Sequence, residues 1–477
     1  MRAPHLFAGV YRGQVMSEQD NAHNPYLHGS LTRVFLRTAA PIVLFMTVSG
    51  LYTVIDALLL GRLAGPKALT AVTLMFPVMM LIVALQSMVS SGMASIVGRQ
   101  IGAGDIRAAE GTLNAANLLA LIVCGLLILA LFFTGGPLTR ALSEGDPELA
   151  RMGLQFTAIM VVFSPFSFFL AIQGDALRSE GKVGTMAAVA IAVTLLNILF
   201  NYILIGPFGL GVVGSAAGTV LAQVVAIAAV LYLRLTGRTR LPLYAHGTGS
   251  FLANWKEMLA LGGPPSLGLL GISLSSGLII ADIQLWPTAD PAATVAAYGV
   301  FTRVMTFAFL PLLGVTMACQ SIAGNNFGAG LHDRVKTTLK IAFGVALVYA
   351  AVFEVMFVFL AMPLGGLFVS DYQVIGEVAR IMPITTVTYV LSAPLMVLGG
   401  YYQALGMAGS AAILNLVRTY VIGLPLLALL PMVFGEFGIW IAYPVGDVVM
   451  LGVVAVLLLW NARRHHLAWG IFHRHQA

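Results

Sequence analysis

The chain has 477 residues, 59% of them hydrophobic and 9% charged, with a formal net charge of +6. A soluble domain carries roughly 25% charged residues, so a soluble enzyme is excluded as the class. The modest positive surplus is not a nucleic-acid signal, and no nucleic-acid partner is expected.

The low charge comes from repeated apolar runs of about 20 residues, the length that crosses hydrocarbon as a helix. The chain reads as an all-α membrane protein with a mean hydropathy of +0.93. Its first segment, Met1 to about Ser30, is polar and lacks the short apolar core and small-residue cleavage site of a signal peptide. Met16, opening "MSEQDNAHNPY", is an alternative start. Twelve spans follow, expected at 36–61, 68–92, 111–134, 150–172, 185–205, 212–235, 257–284, 293–318, 338–361, 376–399, 411–431 and 437–460. Cys124 and Cys319 lie in or beside apolar runs, which argues against a disulfide framework.

With the N-terminus in the cytoplasm, 18 of the 25 Lys and Arg fall on the cytoplasmic side and five on the other, with Arg303 and Arg418 inside spans. This bias follows the positive-inside rule. Both termini are therefore expected to be cytoplasmic, with the spans in the plasma membrane, the inner membrane of a bacterium.

The two halves repeat. "GRQIGAGDIRAAE" (98–110) follows span 2 and "GNNFGAGLHDRVK" (324–336) follows span 8, with Gly98, Gly102, Ala103 and Gly104 matching Gly324, Gly328, Ala329 and Gly330 at an offset of 226. "RSEGKVGT" after span 4 answers "QALGMAGS" after span 10. "FGLGVVGSA" opens span 6 and "FGEFGIWIA" opens span 12. Pro41 answers Pro264 or Pro265. Six spans per unit put both halves in the same orientation, a parallel pseudo-twofold repeat of the kind found in some secondary transporters. The expected division is a cytoplasmic tail (1–35), an N-terminal six-helix lobe (36–235), a basic linker (236–256), a C-terminal six-helix lobe (257–460) and a second cytoplasmic tail (461–477).

Those motifs, with the late "GIWIAYPVGDVV" (438–449), resemble the multidrug and toxic compound extrusion (MATE) family over about residues 35–460. The resemblance implies twelve helices in two lobes and cation-coupled efflux of bulky, often cationic, organic compounds, driven by Na⁺ or H⁺. NorM-like members use acids in spans 7 and 10. Here span 7 from Pro264 on ("PPSLGLLGISLSSGLII") has no acid before Asp282, near its outer end, and span 10 has none beyond Glu377 at its start. The remaining pattern looks like the DinF-like branch, where a span 1 acid fifteen residues after a proline is the coupling acid. Pro41, as a hinge, and Asp56 have that spacing. The branch often carries Asn and Asp four apart in span 5; here Asn197 and Asn201 stand there, so an amide replaces the second acid. A span 6 hydroxyl corresponds to Thr219.

Geometry supports grouping these four. Asp56 and Asn201 lie four or five residues below the outer ends of spans 1 and 5, Asn197 lies one turn deeper than Asn201 on the same face, and Thr219 lies about seven residues down span 6. A carboxylate, two amide oxygens and a hydroxyl are hard ligands that suit a small cation. The competing reading of Asp56 is a carboxylate that merely reaches the headgroups. For Asn197 and Asn201 it is plain interhelical hydrogen bonding. The missing second acid tilts the expected coupling ion from Na⁺ toward H⁺, and any metal at Asp56 would be a transient Na⁺. Tyr52, one turn before Asp56, and Met75 and Met79, on one face of span 2, are candidate substrate contacts, because Met suits adaptable apolar binding. Among the other in-span charges, Asp447 reads as structural, and Arg303, Glu354 and Arg418 have no assigned role.

All nine His residues fall in tails or loops, and no nucleophile–base constellation or phosphate loop appears. The chain is therefore expected to be a non-enzyme without a cofactor, a monomer among membrane lipids that carries drug-like or organic-cation substrates. Two alternatives stay open. One is a lipid-linked oligosaccharide flippase of the related superfamily, although that would call for a strongly basic cavity. The other is a receptor or channel without coupled transport.

Overall fold

A computed structural model describes residues 24–242, 254–286, 290–464 and 469–471. Ten helices are long and apolar enough to cross a membrane, and two further crossings are helix pairs bent at a short break, by 48° and 53°. Among the described residues there are thus twelve spans. They are span 1 (Leu31–Leu63), span 2 (Pro66–Leu74 and Phe76–Ala103), span 3 (Ile106–Leu142), span 4 (Pro147–Val162 and Ser164–Ser179), span 5 (Val183–Ile205), span 6 (Gly211–Leu235), span 7 (Trp255–Leu285), span 8 (Pro291–Gly328), span 9 (His332–Phe359), span 10 (Tyr372–Thr386 and Tyr389–Ala404), span 11 (Ala408–Phe434) and span 12 (Glu436–Arg464).

These helices mostly outrun the expected apolar segments, because hydropathy marks only the stretch inside hydrocarbon while caps decide where a helix stops. Asp105, Asp146, Asp290 and Asp371 each precede a helix and accept hydrogen bonds from backbone N–H groups of its first turn, which satisfies donors that have no partner within the helix. The repeated glycines are the matching stops. Gly104 and Gly330 take φ of 74° and 72°, and Gly181 and Gly406 take 82° and 78°. In each case the next residue's N–H reaches back to a carbonyl five residues earlier, as in Asp105 to Gln100 and Leu331 to Asn326. This is the Schellman closure, which wants glycine in the left-handed region. The motif that betrays the duplication is therefore a helix terminator.

Three features go beyond the expected apolar segments. The helix of span 1 begins at Leu31, ahead of its apolar run. Span 4 breaks at Phe163, because Pro165 lacks an N–H and its ring crowds the carbonyl of Val161. Span 11 is not a plain α-helix, since Ile413–Gly423 is a π-helix that ends just before Pro425. Residues 1–23, and with them Met1 and Met16, lie outside the described residues, as do 243–253 of the linker and most of the last tail.

Spans 1–6 and 7–12 form the two lobes. Among the ten long apolar helices, those of spans 2 and 8 are the most enclosed, with 56% and 50% of their most apolar stretch buried, against 11% for span 1. They cross near the end of the bundle that carries both termini. A Cβ built on Gly102 would stand 1.9 Å from the carbonyl oxygen of Asn325, and one on Gly328 would stand 1.9 Å from that of Arg99. Hydrogen bonds between the lobes gather at this end. Arg178, fully buried, donates to Ser321 Oγ at 2.6 Å and to the Met317 carbonyl at 3.0 Å. Arg99 donates to the Ala404 carbonyl, and Gln403 Nε2 to Ser91 Oγ at 3.3 Å. The lobes are closed here, and span 1 leaves this seam as it runs to the opposite end.

Candidate functional site

Spans 1, 5 and 6 pack against one another in the N-terminal lobe, and they bring the four polar candidates together. Asn201 Nδ2 donates to Asp56 Oδ1 at 2.6 Å and to Asn197 Oδ1 at 2.8 Å. Asn197 Nδ2 donates to Thr219 Oγ1 at 2.9 Å. The Thr219 hydroxyl donates to the Ser215 carbonyl, four residues back in span 6, at 3.1 Å. The result is one continuous chain of hydrogen bonds across three helices. It begins at the half-buried Asp56 and ends on backbone, with Asn197 and Asn201 buried in between.

The network leaves one atom over. Asn201 Oδ1 is buried with no hydrogen-bond partner. It lies over Gly218, where a Cβ would come within 2.1 Å of it. A buried acceptor without a donor costs about 1–3 kcal/mol, and a half-buried carboxylate in a membrane span adds its own cost. A proton or a small cation held by Asp56 neutralises the carboxylate. No cluster of three or more His, Cys, Asp or Glu suited to a metal occurs among the described residues. For Na⁺ the donor set is thin, because Asn197 Oδ1 and Thr219 Oγ1 already accept hydrogen bonds, leaving the Asp56 carboxylate and Asn201 Oδ1.

Tyr52 brings its hydroxyl beside Thr219 and Asn197, one turn from Asp56. Pro41 is half-buried inside span 1, which stays one helix through it. Met79 is partly buried and packs against apolar clusters of the N-terminal lobe. Met75 stands apart. It is fully buried at the break in span 2, and a Cβ on Gly153 would meet its Cε at 3.0 Å. Enclosed in this way, Met75 offers no surface to a substrate in this conformation.

In the C-terminal lobe the unassigned charges find roles. Arg418, on the π-helix, donates to Asp447 Oδ1 at 2.9 Å and to Ser392 Oγ at 2.7 Å. Asp447 Oδ2 accepts from Thr388 and Ser392. Glu354 Oε2 accepts from the Val390 N–H at 2.7 Å and so caps the second half of the broken span 10. Arg303 is exposed. Asp282 is buried, and its Oδ2 has no hydrogen-bond partner. The Gly218 cradle and the Glu354 cap were not legible from sequence, since each depends on a helix neighbour or a break that no local pattern marks.

The two-part layout of this chain has counterparts. The MatE family model matches residues 41–203 and 273–429, one block in each lobe.

The chain belongs to the MatE family. An FAD transporter of Shewanella oneidensis is 27% identical over 433 residues, 89% of this chain and 94% of the relative. Human multidrug and toxin extrusion protein 1 is 25% identical over 86% of this chain and 71% of its own length. A solved structure described as the outward-facing conformation of a multidrug resistance MATE family transporter superposes with a TM-score of 0.82, covering 94% of this chain and 98% of that one at 24% identity. At that identity the likeness establishes the shared MatE fold of twelve helices.

Proposed function

We propose that this MatE protein is an antiporter. It exports organic cations and other drug-like compounds across the plasma membrane by alternating access, coupled to the inward flow of a cation through Asp56. The observation that carries this reading is the Asp56–Asn201–Asn197–Thr219 chain with the partnerless Asn201 Oδ1 beside it. The thin oxygen set favours H⁺ over Na⁺ as the coupling ion. The charge bias makes the termini-bearing end cytoplasmic, so a molecule closed there faces outward. In the cycle, Asp56 takes a cation from outside, span 1 flexes at Pro41, the substrate leaves, and the lobes rock to reload from inside. No cofactor takes part, and the chain works as a monomer.

Ethidium efflux from everted vesicles, with a pH or a Na⁺ gradient imposed separately, tests this. Asp56→Asn is expected to abolish efflux while the protein still inserts and folds. Full efflux in that variant would overturn the assignment.

A second substrate reading has one observation in its favour. Nε and Nη1 of Arg418 have no acceptor among the described residues, and they lie near the half-exposed Tyr443. Together with the relative named as an FAD transporter, this favours an aromatic substrate that carries phosphate. Vesicles loaded with FAD in place of ethidium separate the two readings.

A further inference from the structure

Residues Asn24–Gly29 precede span 1, and none of the chemistry above uses them. They do not project from the bundle. Tyr26 is 1% exposed and Asn24 1%. The Asn24 carboxamide accepts the Tyr26 N–H at 3.1 Å and folds the segment into an Asx turn. Pro25 packs on Gly181 at the end of span 4, where a Cβ would come within 2.4 Å of its Cγ.

The bonds from this turn go to both lobes. On the N-terminal side the Tyr26 hydroxyl donates to the Arg178 carbonyl at 2.6 Å. On the C-terminal side Asn24 Nδ2 donates to Asn325 Oδ1 at 2.8 Å, and Asn326 Nδ2 donates to the Tyr26 carbonyl at 3.1 Å. Arg334, at the start of span 9, donates to the carbonyls of Gly29 at 3.0 Å and Tyr26 at 3.1 Å, with its Nε on Asn326. The contacted residues flank the glycine crossing of spans 2 and 8. Arg178 is itself the buried arginine that reaches Ser321 across the seam.

We infer that Asn24–Gly29 is a latch, a strap that pins the two lobes together at the termini-bearing end and biases the protein toward the conformation closed there. A separation of the lobes at this end carries Arg178 away from Asn325, Asn326 and Arg334. One short turn cannot stay bonded to both, so the strap must release before that end opens. Because it is continuous with span 1, its release also frees the root of the helix that holds Pro41 and Asp56. The glycine crossing supplies close fit without strong bonds. The strap adds directional bonds that break together, which makes the opening a switch. The inference rests on the alternating-access reading above.

Electron–electron distance measurements on spin-labelled protein test it. One label pair, at Arg107 and Thr337, is exposed on opposite lobes at the termini-bearing end, and a second pair, at Arg62 and Tyr372, is exposed at the far end. Both native cysteines are buried. In the otherwise unaltered protein the first pair is expected to show one dominant short distance. Tyr26→Ala combined with Arg334→Gln should raise a longer-distance population from under about a tenth to about a third or more, and the far-end pair should shorten. Tyr26→Phe, which loses only the hydroxyl and with it the bond to the Arg178 carbonyl, should give a smaller shift in the same direction. Unchanged distances in the folded double variant overturn the latch, and so does lengthening at both ends, which signals loosening of the bundle. Opening at the near end with no change at the far end keeps the latch and refutes the rocking of the lobes.

Discussion

Gly218 and Asn201 meet where a larger residue would not fit, since a Cβ on Gly218 would lie 2.1 Å from Oδ1 of Asn201 and 3.0 Å from its backbone nitrogen. Gly218 therefore holds the carboxamide that bonds Asp56. Gly218→Ala is expected to displace that carboxamide, at a cost of about 1–3 kcal/mol for overpacking, and to cut ethidium efflux to the level of Asp56→Asn. Gly184→Ala, in the same span as Asn201 but with nothing within 4 Å of its Cβ, should leave efflux intact. Equal efflux from the two alanine variants would remove Gly218 from the site.

Close approach of spans 2 and 8 gives a second expectation. Gly102→Ala places a methyl group 1.9 Å from a backbone oxygen, so one helix must move. The closed seam should lose about 1–3 kcal/mol, seen as a lower melting temperature in detergent and faster modification of cysteines placed at the seam. Gly125→Ala, in open space in span 3, is the control.

Glu354 holds the N-terminus of the second half of span 10. Glu354→Ala removes the acceptor of the Val390 N–H, and a hydrogen bond to a charged group contributes about 1.5–3 kcal/mol. Glu354→Gln keeps an acceptor oxygen and should recover part of the loss in thermal unfolding. Identical melting of the alanine variant and the unaltered protein would show that the contact adds nothing.

Outside the spans, Asp146 sets a pH dependence. Backbone N–H groups of Glu148 and Leu149 donate to its Oδ1 at 2.8 and 3.1 Å and hold its carboxyl below the usual carboxylate range. A group lowered in the folded state contributes stability above its unfolded pKa and loses it as pH falls through the folded value. The contribution should therefore be complete at neutral pH and fade below about pH 4. Asp146→Asn caps without titrating, so its melting temperature should fall less between pH 7 and pH 3. Parallel curves would refute the assignment.

Much of this was legible in the sequence, for a reason that also marks what was not. Hydropathy finds spans because the bilayer forces every backbone polar group into internal hydrogen bonds, and glycine finds their ends because few other residues adopt the left-handed cap. The family resemblance singled out Asp56, Asn197, Asn201 and Thr219, and helix rise placed them at similar depths. What escaped depended on departures from the regular helix. The break at Phe163 and the π-helix around Arg418 each rotate the residues beyond them, and a face assigned by counting in steps of 3.6 is lost there. Arg178 and Arg234 count among the 18 cytoplasmic-side charges, yet both are buried, Arg234 in an ion pair with Glu180. An arginine that ends a helix and one that enters a seam look alike in sequence.

The crossing of spans 2 and 8 is reciprocal. Gly102 meets Asn325, and Gly328 meets Arg99. With an offset of 226 residues, each contact is the image of the other. Such a self-complementary patch is what an isologous dimer presents to its own copy. This interface needs no sequence difference between the halves, so two separate six-helix chains could make it. Fusion in one polypeptide fixes their ratio and leaves each half free to diverge, with Asp56 on one side of the axis and Arg418 with Asp447 on the other.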